Sequence, residues 1–325
     1  MSSSATVQNS EPAAIEKGSS LWTDAFVRLK KNKLAVLGGI IVIVILFLCF
    51  IVAPIMSMAG MKANDQDLAN RFAGIGEKGV LGTDQLGRDL FMRVLEGGQI
   101  SLLVAFLATM MTVTIGVIYG GVAGYIGGRI GNIMMRIVDG LLAMPFLIIV
   151  ILFREIITGR IDIVARFLVN EWSWDNDTVT RFANLIPLTI AIAGFGWLSM
   201  ARIVRSSAAS LSKQEFVEAA RSLGLSHRRI LFRHMLPNML GPVIIYATLT
   251  IPSFILYEAT LSFIGLGIEP PNSSWGKLIM EGANFLETNV IVLAIPAVMF
   301  SLTLFAFNFL GDGLRDALDP KASKD

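Results

Sequence analysis

Six mostly apolar stretches recur along this chain, each near the roughly 20 residues that an α-helix needs to cross a bilayer. They fall at about 34–54, 99–124, 133–153, 185–204, 239–262 and 289–310. Hydrocarbon offers no partner for a bare N–H or C=O, so segments of this kind must satisfy their own backbone, as a helix does. The chain therefore reads as an all-α polytopic membrane protein. Its composition agrees, with 54% hydrophobic and only 16% charged residues in 325, where a soluble domain carries about a quarter charged. The net charge of +2 points to no nucleic-acid partner. A single cysteine, Cys49, excludes an internal disulfide and a cysteine-based metal site. His227 and His234 have no acidic or cysteine cluster beside them, so no metal site is expected.

The first apolar run begins over thirty residues in and exceeds the roughly 7–15 residues of a signal-peptide core, so it reads as a retained anchor. Residues 1–20, rich in Ser, Glu and Ala, read as a disordered tail. The rest divides into 21–60 with the first span, an extracytoplasmic segment 61–98, a membrane domain 99–310 carrying a basic loop at 205–238, and a cytoplasmic tail 311–325. Lys and Arg set the orientation. With the N-terminus inside, inner segments collect Lys17, Arg28, Lys30, Lys31 and Lys33, then Arg129 and Arg136. They also collect Arg202, Arg205, Lys213, Arg221, Arg228, Arg229 and Arg233, and finally Arg315, Lys321 and Lys324. Both termini are expected in the cytoplasm.

Gly116, Gly120 and Gly124 repeat every fourth residue, which lets another helix approach closely. Pro145, Pro187, Pro242, Pro252 and Pro296 imply kinked spans. Two carboxylates intrude on apolar runs, where an ionised group near mid-membrane costs about 2.5–3.5 kcal/mol. Asp139 has Arg136 one turn away and is expected to pair with it. Glu258 has no cation within a turn, which leaves three readings: an interior hydrogen bond, a pathway or gate, or exposure to the headgroups.

Ahead of the second run, Leu86, Leu90, Phe91, Val94 and Leu95 fall at helical spacing, with Asp84 as a candidate N-cap and Gly97-Gly98 as a stop. This predicts a short amphipathic helix on the outer membrane surface. The outer segment 154–184 carries Trp172 and Trp174, residues favoured at headgroup level.

The loop 205–238 carries the most information. Ser212 followed by Glu215 has the spacing of a capping box, predicting a helix that starts there. Phe216, Ala219, Ala220 and Leu223 then share one face, and Gly224 stops the helix. Ser226 is placed to cap a second helix that Pro237 ends before the fifth span. The small alanines beside Phe216 leave a face that fits a groove, and Glu218 supplies an orienting charge; an ordinary connecting loop is the plainer reading.

Glu218-Ala219-Ala220, Gly224 and Leu236-Pro237 resemble the signature of inner-membrane permeases of bacterial ATP-binding-cassette importers. One position departs, with His234 where an isoleucine is common. The stretch from Leu81 to Asp89, Leu261 to Gly267 with Pro270-Pro271 and Trp275-Gly276, and Gly311 to Asp316 with Asp319-Pro320 narrow the likeness to the "C" permease subunit of dipeptide and oligopeptide importers. The segment 154–184 is longer than in that pattern. The resemblance implies a type I importer permease fold, a heterodimer with a sister permease, two cytoplasmic ATPase subunits docking on the loop, and an extracytoplasmic peptide-binding protein. It implies alternating access without catalysis by this chain, ATP and Mg being held by the ATPase subunits. The chain has no G-x-x-x-x-G-K-S/T loop of its own. A relative carrying nickel complexes or another small solute, and an autonomous secondary transporter, are the alternatives.

Overall fold

The computed structural model describes residues 21–270 and 272–318. The expected tail over 1–20 and the motif residues Pro271, Asp319 and Pro320 lie outside the described residues. Every named element within them is a helix. α1 (Leu21–Lys31) leads into α2 (Lys33–Phe47), which passes through a π turn, Leu48–Val52, into α3 (Ala53–Met58). α4 (Leu90–Ile126), α5 (Gly128–Leu142), α6 (Phe146–Trp172) and α7 (Asn176–Leu211) follow. The loop carries α8 (Glu215–Ser222), α9 (His227–Arg229) and a second π turn, Ile230–Met235. α10 (Leu236–Phe263), α11 (Trp275–Ala283) and α12 (Val290–Leu318) complete the chain. Among the described residues five helical runs are long and apolar enough to cross a membrane, and α5 with α6, bent by 93°, makes up to a sixth if the pair is one broken span and not a re-entrant loop.

α4 and α7 pack together at the centre of the bundle. The glycine stripe makes this possible: Gly116 lies against Met200, Gly120 against Ala201 and Gly124 against the Arg205 carbonyl and Ala208. A side chain at Gly120 would run into the Ala201 backbone, which no rotamer change relieves. α2 and α12 pair outside this centre, and their other faces present Ile40, Ile43, Val298 and Phe305 outward, as lipid-facing helices do.

Four expectations about local structure change. The helix expected at the membrane surface over 86–98 is the start of α4, capped by Asp89, whose carboxylate accepts from Met92 N at 2.9 Å. Leu90, Val94 and Leu95 are buried there, and Gly97-Gly98 continue the helix because Ser274, Trp275 and Cys49 come too close for a side chain. The span expected at 133–153 is broken at Pro145, whose ring excludes the preceding residue from helical geometry and which opens α6 in extended backbone. The segment 154–184 is helical except at Ser173 to Asp175, so α6 and α7 form a hairpin with exposed Trp172 and Trp174 at its turn. Residues 311–318 are no tail but the last turns of α12, where Gly313 meets Ala35 and Leu29.

Both π turns stand directly ahead of a proline near the start of the following helix, Pro54 in α3 and Pro237 in α10. Proline removes a donor and crowds the carbonyl four residues back, and the wider π turn accommodates both effects. Pro237 therefore does not end the second loop helix as expected. Helical structure runs on from His227 to Phe263.

Candidate functional site

The loop between α7 and α10 is tied to three long helices. Val217 and Ala220 of α8 are buried in a cluster with Val117 and Tyr125 of α4, Val204 and Ala208 of α7, and Ile230, Leu231, Met235 and Met239 leading into α10. The Tyr125 hydroxyl and His227 Nδ1 are hydrogen-bonded at 2.8 Å, and the Arg221 guanidinium lies 5.0 Å from the centre of the Tyr125 ring. A cavity of about 740 Å³ lies beside this group, floored by Val122, Ile126 and Leu231.

The two faces of α8 divide differently from the sequence expectation. Phe216, Glu218, Ala219 and Leu223 point outward, Leu223 being 80% and Phe216 39% exposed, whereas Ala220 is 5% exposed and faces the bundle. Ala220 thus anchors the helix together with Val217, a residue whose i,i+3 spacing to Ala220 was the available signal. The capping box does not form. Ser212 closes α7, its hydroxyl donating to the Ala209 carbonyl at 2.9 Å, and α8 starts after extended Gln214. Glu215 and Glu218 in the first turn still complement the positive end of the helix. Ser226 precedes α9 but makes no capping bond.

Gly224 ends α8 as expected and shows why glycine stands there. Its φ is +74°, Gly224 N–H donates to Arg221 O at 2.9 Å, and Leu225 N–H donates to Ala220 O at 3.2 Å. This bond pair is a Schellman motif with glycine in the left-handed position. It turns the chain back so that the π turn packs against α8.

At the opposite end of the bundle two polar networks join α4 to the segment after α10. Glu258 is fully buried and accepts from Ser101 at 2.8 Å and Ser262 at 2.6 Å. Ser101 in turn accepts from Trp275 N–H at 3.2 Å, and Trp275 Nε1 donates to Val94 O at 3.0 Å. Of the three readings open for Glu258, the interior hydrogen bond describes its surroundings; its partners Ser101 and Ser262 were not singled out, although Ser262 follows one turn later. The second network is ionic. Buried Asp84 accepts from Arg88 and Arg93, each at 2.7 Å, and Arg93 reaches Glu281 at 2.9 Å. Burial pushes the Glu281 carboxyl up, but Arg93 and then Arg88 outweigh it and hold it below its ordinary value. Asp84 is thus a buried ion-pair centre and not a helix cap. Asp139 pairs with Arg202 of α7 at 2.6 Å instead of Arg136, α5 being in contact with α7.

Halfway along the bundle, a cavity of about 500 Å³ opens where the α5–α6 bend faces α7 and α10. Phe146, Phe195 and Phe254 line it together with Ser199, Tyr246, Ser253 and Tyr257. Glu258 is not among its lining residues.

A multi-span helical bundle with a small helix held rigidly at one end, and a solute-sized cavity within, has the parts of a membrane transport subunit. Residues 112–324 match the family described as "Binding-protein-dependent transport system inner membrane component", and residues 20–74 match the "N-terminal TM domain of oligopeptide transport permease C". The chain is 41% identical over 306 residues to the oligopeptide transport system permease protein OppC of Haemophilus influenzae, covering 94% of this chain and 90% of that protein. The Escherichia coli K12 protein of the same name is 41% identical over 319 residues, covering 98% and 97%. The dipeptide transport system permease protein DppC of Bacillus subtilis is 39% identical over 316 residues, covering 97% and 90%. The chain belongs to the binding-protein-dependent transport system inner membrane component family. It is accordingly a permease subunit, a non-catalytic membrane component that works with ATPase and substrate-binding partners.

Proposed function

We propose that this chain conducts peptides inward across the cytoplasmic membrane as one half of a permease heterodimer, driven by two ATPase subunits that hold ATP and Mg. In this reading the end bearing α8 faces the cytoplasm, as do both termini, and an extracytoplasmic binding protein delivers peptide to the opposite end. The names of the similar proteins, oligopeptide and dipeptide permeases, support the substrate class.

The observation that carries the coupling role is the two-sided character of α8. Outward Phe216, Ala219 and Leu223 offer an apolar face with small relief beside Glu218, while Val217 and Ala220 fasten the helix to α4, α7 and α10. Force applied to such a helix moves three spans together, as alternating access by rigid bodies requires. Gly224 and the π turn before Pro237 keep the angle between α8 and α10. Glu258 holds α4, α10 and α11 in register at the outer end and serves as a structural member of whichever gate forms there.

The test is reconstitution of this chain with a sister permease, ATPase subunits and a binding protein from the same organism. ATP-dependent uptake of a labelled oligopeptide, absent when the binding protein is omitted, is expected. Uptake that follows an ion gradient without ATP, or ATP-dependent uptake of nickel complexes but no peptide, would overturn the reading.

A further inference from the structure

The cavity at the α5–α6 bend has a volume typical of small-molecule sites, which span about 300–1,000 Å³. Tyr246, Ser253 and Tyr257 recur at i, i+7 and i+11 on α10, so their side chains share one helix face, and Ser199 lies across from them on α7. All four are half-buried, and among the described residues none of the four hydroxyls makes a hydrogen bond. Thr250, on the same face, already donates to the Tyr246 carbonyl at 2.6 Å. Phe146 supplies the apolar side, its ring 4.3 Å from that of Tyr257 and 5.3 Å from that of Phe195. No lining residue carries a charge.

We infer that Ser199, Tyr246, Ser253 and Tyr257 form the contact surface for the solute in transit, and that they bind the main-chain amides of an extended peptide rather than its side chains or charged ends. The inference rests on the peptide reading above. Charged termini or side chains would find no counter-charge here, and a desolvated charge without one is strongly disfavoured. Hydroxyls donate to a C=O and accept from an N–H, which is what a peptide presents at every residue whatever its side chain. The aromatic side accepts apolar groups without a demanding shape. Such a wall passes peptides of many sequences and discriminates against solutes lacking secondary amides.

The experiment compares two peptides in the reconstituted complex: an oligoalanine and the same peptide with its central amides N-methylated, each supplied at a concentration that saturates the binding protein. The wild-type complex is expected to move the unmodified peptide faster. Combining Tyr246→Phe, Ser253→Ala and Tyr257→Phe should slow that peptide by about 10-fold or more, the yield of losing a few neutral hydrogen bonds, and slow the methylated one far less. Convergence of the two rates is the signature that a merely structural role would not produce. Equal losses for both peptides, no loss for either, or no wild-type preference overturns the inference. A wild-type complex that moves neither peptide overturns the peptide reading itself. If the triple variant does not assemble, Tyr257→Phe alone keeps the ring against Phe146 and makes the same comparison, with an expected loss of about 3-fold.

Discussion

Leu223→Ala separates the outward face of α8 from its anchor. The substitution removes three carbons, each contributing about 0.8 kcal/mol when buried, and at 80% exposure almost all of that burial is still available to a partner. Allowing for an imperfect fit, docking should weaken by about 1–2 kcal/mol, a roughly 5- to 30-fold rise in the dissociation constant. The melting temperature of the isolated subunit should stay unchanged, because Leu223 touches little within it. Ala220→Trp is the counterpart. Ala220 is 5% exposed against the Tyr125 and Met235 cluster, so an indole there overpacks the loop and costs about 1–3 kcal/mol in the subunit itself. Binding of purified ATPase subunits to the permease pair in nanodiscs, with a melting curve for each variant, measures both effects. Wild-type affinity for Leu223→Ala, or weakened binding with an unchanged melting curve for Ala220→Trp, would refute the division of the two faces.

Gly224→Ala should destabilise the loop by about 1 kcal/mol, all of it backbone strain, since no atom lies within 4 Å of where a Cβ would stand; faster hydrogen exchange confined to α8 and α9 is the expected readout. Asp84→Ala leaves buried Arg93 with Glu281 as its one remaining carboxylate and should cost about 3 kcal/mol, visible as a lowered melting temperature that Asp84→Asn only partly restores. Because the Glu281 carboxyl is held below its ordinary value of 4.5, its stabilising effect is complete above that pH and is lost as pH falls through the lower, folded value. Melting temperature should therefore drop on acidification below about pH 4.5, and Glu281→Gln should flatten that drop. Cysteines at Ser173 and Ser222 report orientation. In intact cells an impermeant thiol reagent should label the first and spare the second, with buried Cys49 silent, and the reverse pattern would invert the topology.

Features that depend on segment length or on a single backbone conformation were legible without the structure. Five of the six expected spans coincide with helices long and apolar enough to cross a membrane, because apolar length against bilayer thickness is a one-dimensional property. Gly224 was legible because only glycine enters the left-handed region cheaply, and the Gly116, Gly120 and Gly124 stripe because close approach needs small residues on one face. Tertiary structure decided whatever depends on which neighbour arrives. Ala220 sits at the angular edge of an eight-residue helix, where a small rotation exchanges inside for outside, and the cluster around Tyr125 and Met235 set that rotation. Gly97-Gly98 has the composition of a stop, yet the approach of Trp275 and Cys49 made it a packing surface within a continuous helix. Asp139 found Arg202 because α7 packs against α5, and the hydroxyls of α10 became a cavity wall where the α5–α6 bend faces them. Local chemistry specifies what a residue can do, and the partner that completes it comes from a helix remote in the chain.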